Sequence, residues 1–255
     1  MSLSLFILAS GSKANAICLK SGNQTILIDA GLGVRSMLPA LHSVGVRPDD
    51  LDAILLTHEH SDHVRGLTSL LARTQSAVYA SPGTLDRVDY MIPRRTTVVP
   101  VRSRTVEIGS LLIRPIAVPH DAAEPLAFHI VAGEHRVTIA TDLGEVPDDL
   151  QTLLAHSTCA VLESNHDEEM LRCGSYPELL KERIASSLGH LSNRQSAAAL
   201  AECKDNGLRM VVLAHVSDEN NDPDLARVTT EEVLDPGVEL HVTARSTAGP
   251  FLTLE

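Results

Sequence analysis

The chain has no tryptophan, and Phe and Tyr contribute only three residues each to its 255. Its core must therefore be built from Leu, Val, Ile and Ala, and aromatic platforms on which the bases of a single strand could stack are scarce. Positive charge is also short, with 21 Lys and Arg against 33 Asp and Glu and a formal net charge of −12. Taken alone, that balance opposes a nucleic-acid-binding surface, because phosphate contacts need Lys and Arg. The objection weakens if divalent ions place positive charge where a substrate phosphate would sit. No apolar run reaches the ~18 residues that span a bilayer, so no membrane segment is expected. The first residues, Met1 to Leu8, lack a basic leader segment and read as a β-strand. Cys18, Cys159, Cys173 and Cys203 form no C-x-x-C pair. Their long, irregular gaps suit reduced thiols in a cytoplasmic protein, not a disulfide frame or a zinc ribbon.

What is present is an apolar share of 44%, enough for a sizeable core in one domain spanning residues 1–255. Short β-type runs at Leu3–Leu8, Ala16–Lys20 and Thr25–Asp29 are separated by Gly- and Ser-rich turns. Val34, Met37, Leu38, Leu41 and Val44 fall at helical spacing, which predicts a helix over Gly33–Ser43. A buried strand, Asp52–Thr57, and a helix, Val64–Ala72, follow. The middle reads as strands: Ala77–Ala80, Thr97–Val101, Val106–Ile108, Leu111–Val118, Leu126–Val131 and Arg136–Ala140. Helices are then expected at Pro147–Leu154, Pro177–Ser187, Asn193–Asn206 and Asp224–Leu234. Strands are expected at Ala160–Glu163, Met210–Ala214, Glu239–Thr243 and Phe251–Leu254. Two sheets inside and helices outside are the natural packing.

Thr57-His58-Glu59-His60-Ser61-Asp62-His63 is the informative stretch. Alternate residues of an extended segment point the same way, so His58 and His60 can reach one metal together. Asp62 and His63 sit at the entry of the next helix, where the chain turns and can present both to a second ion. Asp62 could equally cap the first turn of that helix. A pair of ions about 3.5–4 Å apart needs more ligands than this stretch supplies. His120, Asp142 and His215 each follow a predicted strand and complete the set. Singly, each reads equally well as a capping or hydrogen-bonded core residue.

The H-x-H-x-D-H motif, the strand ending at Asp29, and the downstream His120, Asp142 and His215 resemble the metallo-β-lactamase superfamily over essentially the whole chain. That resemblance implies an α/β, four-layer αββα sandwich with a binuclear centre at one rim. It places His58, His60 and His120 on one ion, Asp62, His63 and His215 on the other, and Asp142 between them. Asp29 would orient a ligand. Finer matches lie at Ala9–Ala16, Glu163–Asp167, Gly189–Asn193 and Ala214–Asn221. They resemble the YycJ/WalJ-type hydrolases, cytosolic bacterial members associated with DNA exonuclease activity. Ala14 stands where that pattern has Gly, and a position needing positive φ would tolerate Ala poorly.

Five imidazoles and two carboxylates suit two divalent ions, zinc first, with manganese or iron as alternatives. The expected chemistry is attack on a phosphodiester by a hydroxide held between two metals, as in a 5′–3′ DNA exonuclease. Asp62, His190 and His166 are the candidate catalytic side chains, with His190 and His166 competing for general acid. For either histidine the plain alternative is a helix-end residue bonded to backbone. A hydrolase of small substrates (a cyclic phosphodiester, thioester or lactone) is the alternative reading, and the net charge favours it. No motif identifies a protein partner or excludes an oligomer. Arg94, Arg95, Arg102 and Arg104 make the only basic clusters; solvated loops are their default reading, and for a polynucleotide substrate they are the first candidates for phosphate contact.

Overall fold

Strands that are apolar on both faces need cover on both sides. In the computed structural model, which describes residues 2–203, 206–243 and 251–254, they form two facing sheets. The first carries β1 (Leu3–Ala9), β2 (Ala16–Ser21), β3 (Gln24–Ile28), β4 (Ala53–Leu55), β5 (Ala77–Ala80) and β6 (Val98–Pro100). The second carries β7 (Val106–Ile108), β8 (Leu111–Ala117), β9 (Leu126–Ala132), β10 (His135–Ala140), β11 (Cys159–Glu163), β12 (Met210–Ala214) and β13 (Glu239–Val242). β14 (Phe251–Leu254) returns to pair with β1, so the orders are β14-β1-β2-β3-β4-β5-β6 and β13-β12-β11-β10-β9-β8-β7. Each sheet is antiparallel in one half and parallel in the other. The parallel halves are β3 to β6 and β10 to β13.

Leu5, Ile7, Leu19, Ile28 and Leu55 meet Ile113, Phe128, Ile130, Val161 and Val212 in the core between the sheets. On the outer face of the first sheet, Leu27, Ile54 and Val78 pack under helices Val34–Ser43 and Leu67–Leu71. On the second, Leu162, Val211 and Leu213 pack under helices Asp148–Ala155, Asn193–Ala201 and Pro223–Glu231. These layers make the αββα sandwich. Gly133, at φ 63°, opens the two-residue turn that sets the register of β9 on β10, where Ala132 faces His135.

The sequence predicts one helix over Val64–Ala72, but the chain forms two, Ser61–Val64 and Leu67–Leu71. Between them Gly66 packs so closely on the Leu32 carbonyl that a Cβ would lie 2.0 Å from its oxygen. Close backbone approach, not helix propensity, decides that point. Helices Pro82–Val88 and Glu168–Cys173 were not expected. Both are short and begin at side-chain caps, Ser81 accepting from Thr84 N–H and Asp167 from Glu169 and Met170 N–H. The helix expected over Asn193–Asn206 ends at Ala201, and residues 204–205 of that span lie outside the described residues.

His129 on β9 is buried, with Nδ1 2.8 Å from Thr138 Oγ1. Burial, aided by Arg114 directly across on β8 and by Arg136, pushes its imidazole down to about 4. An unfolded chain binds that proton near pH 6.5, so protons favour unfolding in the window between. Stability should fall by about 2 kcal/mol as pH drops from about 6.5 toward 4, after allowance for residual solvent contact. Urea unfolding of the wild type and His129→Gln at neutral and acid pH checks this. The variant should lose less, and parallel losses would exclude the assignment.

Candidate metal centre

The parallel strands bring their carboxyl ends to one rim, and the polar residues that follow them converge there. Asp29 follows β3, the Thr57–His63 stretch follows β4, His120 follows β8, Asp142 follows β10 and His215 follows β12. Three of these turns are left-handed at non-glycine residues: Asp29 at φ 61°, Asp142 at φ 60° and His215 at φ 53°. That conformation costs roughly 1–2 kcal/mol per residue and persists only where surrounding contacts over-determine it. Here it turns a side chain from the strand direction back over the rim.

All seven side chains expected to hold metal come together. The donor atoms of His58, His60 and His120 lie within 4.8 Å of one another, as do those of Asp62, His63 and His215. Asp142 joins both groups. Its Oδ2 is 3.2 Å from His63 Nε2, and its Oδ1 is 3.4 Å from His215 Nε2 and 3.9 Å from His120 Nε2. Proximity does not become hydrogen bonding: His58 Nε2, His215 Nε2 and Asp142 Oδ2 are buried without a partner. Buried polar atoms left unpaired are costly. A shared cation would satisfy all three, so the donor set fits divalent metal.

The outward nitrogens are occupied, which fixes the rings. His63 Nδ1 is 2.7 Å from Asp29 Oδ2, His120 Nδ1 3.1 Å from Gly189 O, and His58 Nδ1 3.0 Å from Thr57 Oγ1. Asp29 also accepts from Thr57 N–H and Thr57 Oγ1–H, both at 2.8 Å. His215 Nδ1 and His190 Nδ1 both point at Glu163 Oε1, at 2.9 and 2.7 Å. An imidazole that donates outward from Nδ1 offers its Nε2 lone pair inward.

Charge follows the same layout. Burial works against ionisation of Asp142, but the surrounding imidazoles, His215 and His63 foremost, hold its carboxyl well below the usual range. Glu163, opposed by burial and favoured by His190 and His215, is lowered to about 2. In return His215 is raised to about 10, since Asp142, Asp62 and Glu163 outweigh its burial, and His63 rises well above the usual range. His58 and His120 are lowered, chiefly by burial. The carboxylates thus call for positive charge at the Asp62, His63 and His215 end.

The two candidate acids separate. His190 enters the cluster, its ring stacked on His215 at 5.1 Å and its side chain 20% exposed. His166 is 2% exposed, and its Nδ1 has no partner. Ala14 does not take a positive φ; Gly11 does, at 152°. Two further residues matter to which the sequence assigned no role. Glu163 closes the apolar run Cys159–Leu162 and opens the Glu163–Asp167 match, and Asn15 lies within the Ala9–Ala16 match. Asn15 is held by Gly11, donating to its carbonyl and accepting its N–H, and its Nδ2 reaches Asp62 Oδ2 at 3.2 Å. Nothing in its sequence neighbourhood pairs it with a residue 47 positions away.

Fold and site together define a metallo-β-lactamase-type scaffold. Residues 24–216 match the beta-lactamase superfamily domain, and the chain belongs to that superfamily. It is 34% identical over 96% of both lengths to the exodeoxyribonuclease WalJ of Streptococcus pneumoniae. With the exodeoxyribonuclease YycJ of Bacillus anthracis it shares 33% over 92% of this chain and 90% of that protein. These likenesses put it in the YycJ/WalJ-type branch. The crystal structure of the metallo-beta-lactamase fold protein YhfI from Bacillus subtilis superimposes over 99% of both chains with a TM-score of 0.79 at 16% identity. Zn(2+)-bound PqqB from Methylobacterium extorquens covers the same 99% of each with a TM-score of 0.74 at 21% identity.

Asp29 is the buried counter-charge of His63 and the anchor of Thr57, so Asp29→Ala should cost about 3 kcal/mol. Urea unfolding of chelator-treated protein measures it. A loss under about 1 kcal/mol would mean that the aspartate is a dispensable turn residue.

Proposed function

We propose that the chain is a metal-dependent exodeoxyribonuclease that removes nucleotides from a DNA end, with the 5′–3′ polarity implied by the family resemblance. The observation that carries hydrolysis is the convergence of seven donors whose buried inward atoms, His58 Nε2, His215 Nε2 and Asp142 Oδ2, lack any other partner. The polynucleotide substrate rests on the full-length likeness to the two exodeoxyribonucleases.

His58, His60 and His120 would hold one ion, Asp62, His63 and His215 a second, and Asp142 would face both. The imidazole-rich set favours zinc, with manganese or iron as alternatives. When bound, such a pair supplies a water acidified toward neutrality and positive charge against the phosphodiester oxygens. The chain supplies the rest. Asp62 keeps 20% of its side chain exposed where Asp142 keeps 3%, so Asp62 is the carboxylate placed to take a proton from the attacking water. His190, held through Nδ1 by Glu163, is the donor for the leaving oxygen. His166, its competitor for that role, is packed away from solvent at 2% exposure. Residues 1–255 act as one unit, since one core joins both sheets. The four unpaired cysteines suit a reducing cytoplasm, and no helix among the described residues is long and apolar enough to cross a membrane.

The second reading, a hydrolase of small phosphodiesters, thioesters or lactones, has the net charge of −12 in its favour. End-labelled duplex DNA, RNA, bis-p-nitrophenyl phosphate and a thioester, each given to the metal-loaded protein, separate the two. Shortening of DNA from one end is the expected result; thioester cleavage with inert phosphodiesters would overturn it. Returning zinc or manganese to chelated protein should raise stability by about 4 kcal/mol for each ion bound at a thousandfold excess over its Kd. Calorimetry should count two ions per chain, and an unchanged melting temperature would remove the metal centre. His190→Ala at full metal occupancy should slow single-turnover cleavage by ~10²–10⁴, with a smaller effect for His166→Ala. If His190→Ala stays within about threefold of wild type, it is not the acid.

A further inference from the structure

A chain with net charge −12 must hold a polyanion through a few well-placed groups. The cations near the cluster are not equivalent. Arg183 grips Asp121 through two nitrogens, Nε at 2.6 Å, and Asp121 itself lies 3.3 Å from His120 Nε2. Arg194 faces Glu168 at 3.7 Å and Arg102 faces Glu124 at 3.9 Å. Each of these is compensated by a carboxylate.

Arg65 differs. It is exposed, two residues beyond His63, and its guanidinium donates to the Lys13 carbonyl. Among the described residues no carboxylate lies within ion-pair reach of it. Lys13 is 85% exposed and pairs with Asp218 at 2.8 Å, an exposed contact that exchanges readily for a stronger anion. Glu219 also acts on Lys13, so Arg65 carries most of the net positive charge of this flank. The loop is tied to the centre: Asn15 N–H bonds to Asp62 O at 2.8 Å, and Asn15 Nδ2 reaches the Asp62 carboxylate. Ser12 and Lys13 are exposed on the same loop, and among the described residues no hydrogen bond engages their N–H groups.

We infer that Arg65, Lys13 and the Ser12–Lys13 backbone form a phosphate-contact subsite on the Asp62 flank. It would hold the strand of nucleic acid adjoining the phosphodiester at the centre. Arg65 is the principal contact, because its fork is already positioned by the Lys13 carbonyl and its remaining donors suit a phosphate. The inference rests on the polynucleotide reading and gives the bound strand a direction across the rim, away from the Arg183–Asp121 side.

The test is fluorescence anisotropy of zinc-loaded protein with a labelled, phosphorothioate-protected single-stranded oligodeoxynucleotide, from about 50 to 300 mM salt. Arg65→Ala should weaken binding about tenfold at low salt and reduce the log–log salt slope by about 0.7, the share of one phosphate contact on a single strand. Arg65→Lys should keep the slope. Asp218→Asn, which frees Lys13, should tighten binding. Arg47→Ala, whose cation pairs with Asp50 ahead of β4, should change neither quantity. Cleavage of an unprotected oligonucleotide should suffer more from Arg65→Ala than cleavage of bis-p-nitrophenyl phosphate, which has no flanking phosphates. An unchanged slope in Arg65→Ala, or equal losses on both substrates, overturns the subsite and leaves the nuclease reading standing. Wild-type protein that cleaves bis-p-nitrophenyl phosphate but neither binds nor shortens DNA overturns both.

Discussion

Asp142 is a carboxylate buried to 3% exposure, with imidazoles of His63, His215, His120 and His190 within 4 Å of its oxygens. An anion in that position is tolerable only if positive charge stands beside it. The rest of the site follows from this requirement. Glu163 and Asp29 are buried as well, one behind His190 and His215 and the other behind His63. Carboxylates and imidazoles therefore alternate from the outside inward. Asp29 and Glu163 hold the outward nitrogens of His63, His215 and His190, and the inward nitrogens and Asp142 share one central need. A proton meets it by raising His63 and His215; a divalent ion meets it with more charge and no directional bond.

The scaffold accommodates this cluster by concentrating strain where the strands end. Asp29, Asp142 and His215 all take left-handed backbone that their residue types rarely adopt. Two of them are pinned through their backbone: Asp29 N–H bonds to the Leu55 carbonyl on the adjacent strand, and His215 N–H bonds to Ser10 Oγ. The inner strands of the parallel halves, β4, β11 and β12, are buried throughout and supply the rigidity against which such turns can be held. The same arrangement brings residues distant in sequence to a common point without a dedicated binding domain.

Much of this could be read from the chain. The H-x-H-x-D-H stretch after an apolar strand gives the first four candidate ligands, and His120, Asp142 and His215 stand after strands recognisable by their apolar runs. The two sheets follow from the alternation of short apolar runs with amphipathic ones. Other features were illegible for definite reasons. Asn15 and Glu163 act through contacts between distant segments, and a single sequence shows composition, not proximity. The break at Gly66 lies where the backbone passes too close to Leu32 O for any Cβ, an approach between distant segments that local helix pattern does not register. The different surroundings of His190 and His166 were equally hidden: both lie in similar polar segments, yet only the His190 ring stacks on His215.

The acidic composition, which first argued against a nucleic-acid substrate, has a consistent place in this arrangement. Long-range attraction scales with net charge and is screened within about 8 Å at physiological salt. At contact distance the local charges decide. The cluster draws cations inward, and exposed pairs such as Lys13–Asp218 offset part of the charge around it. A site of that kind favours a phosphodiester at the centre over unspecific adhesion along a strand. Affinity for nucleic acid then rests on few phosphate contacts, so its salt dependence should be shallow compared with that of a basic DNA-binding protein. An enzyme that trims ends has use for such weak lateral grip, because each turnover requires the strand to advance.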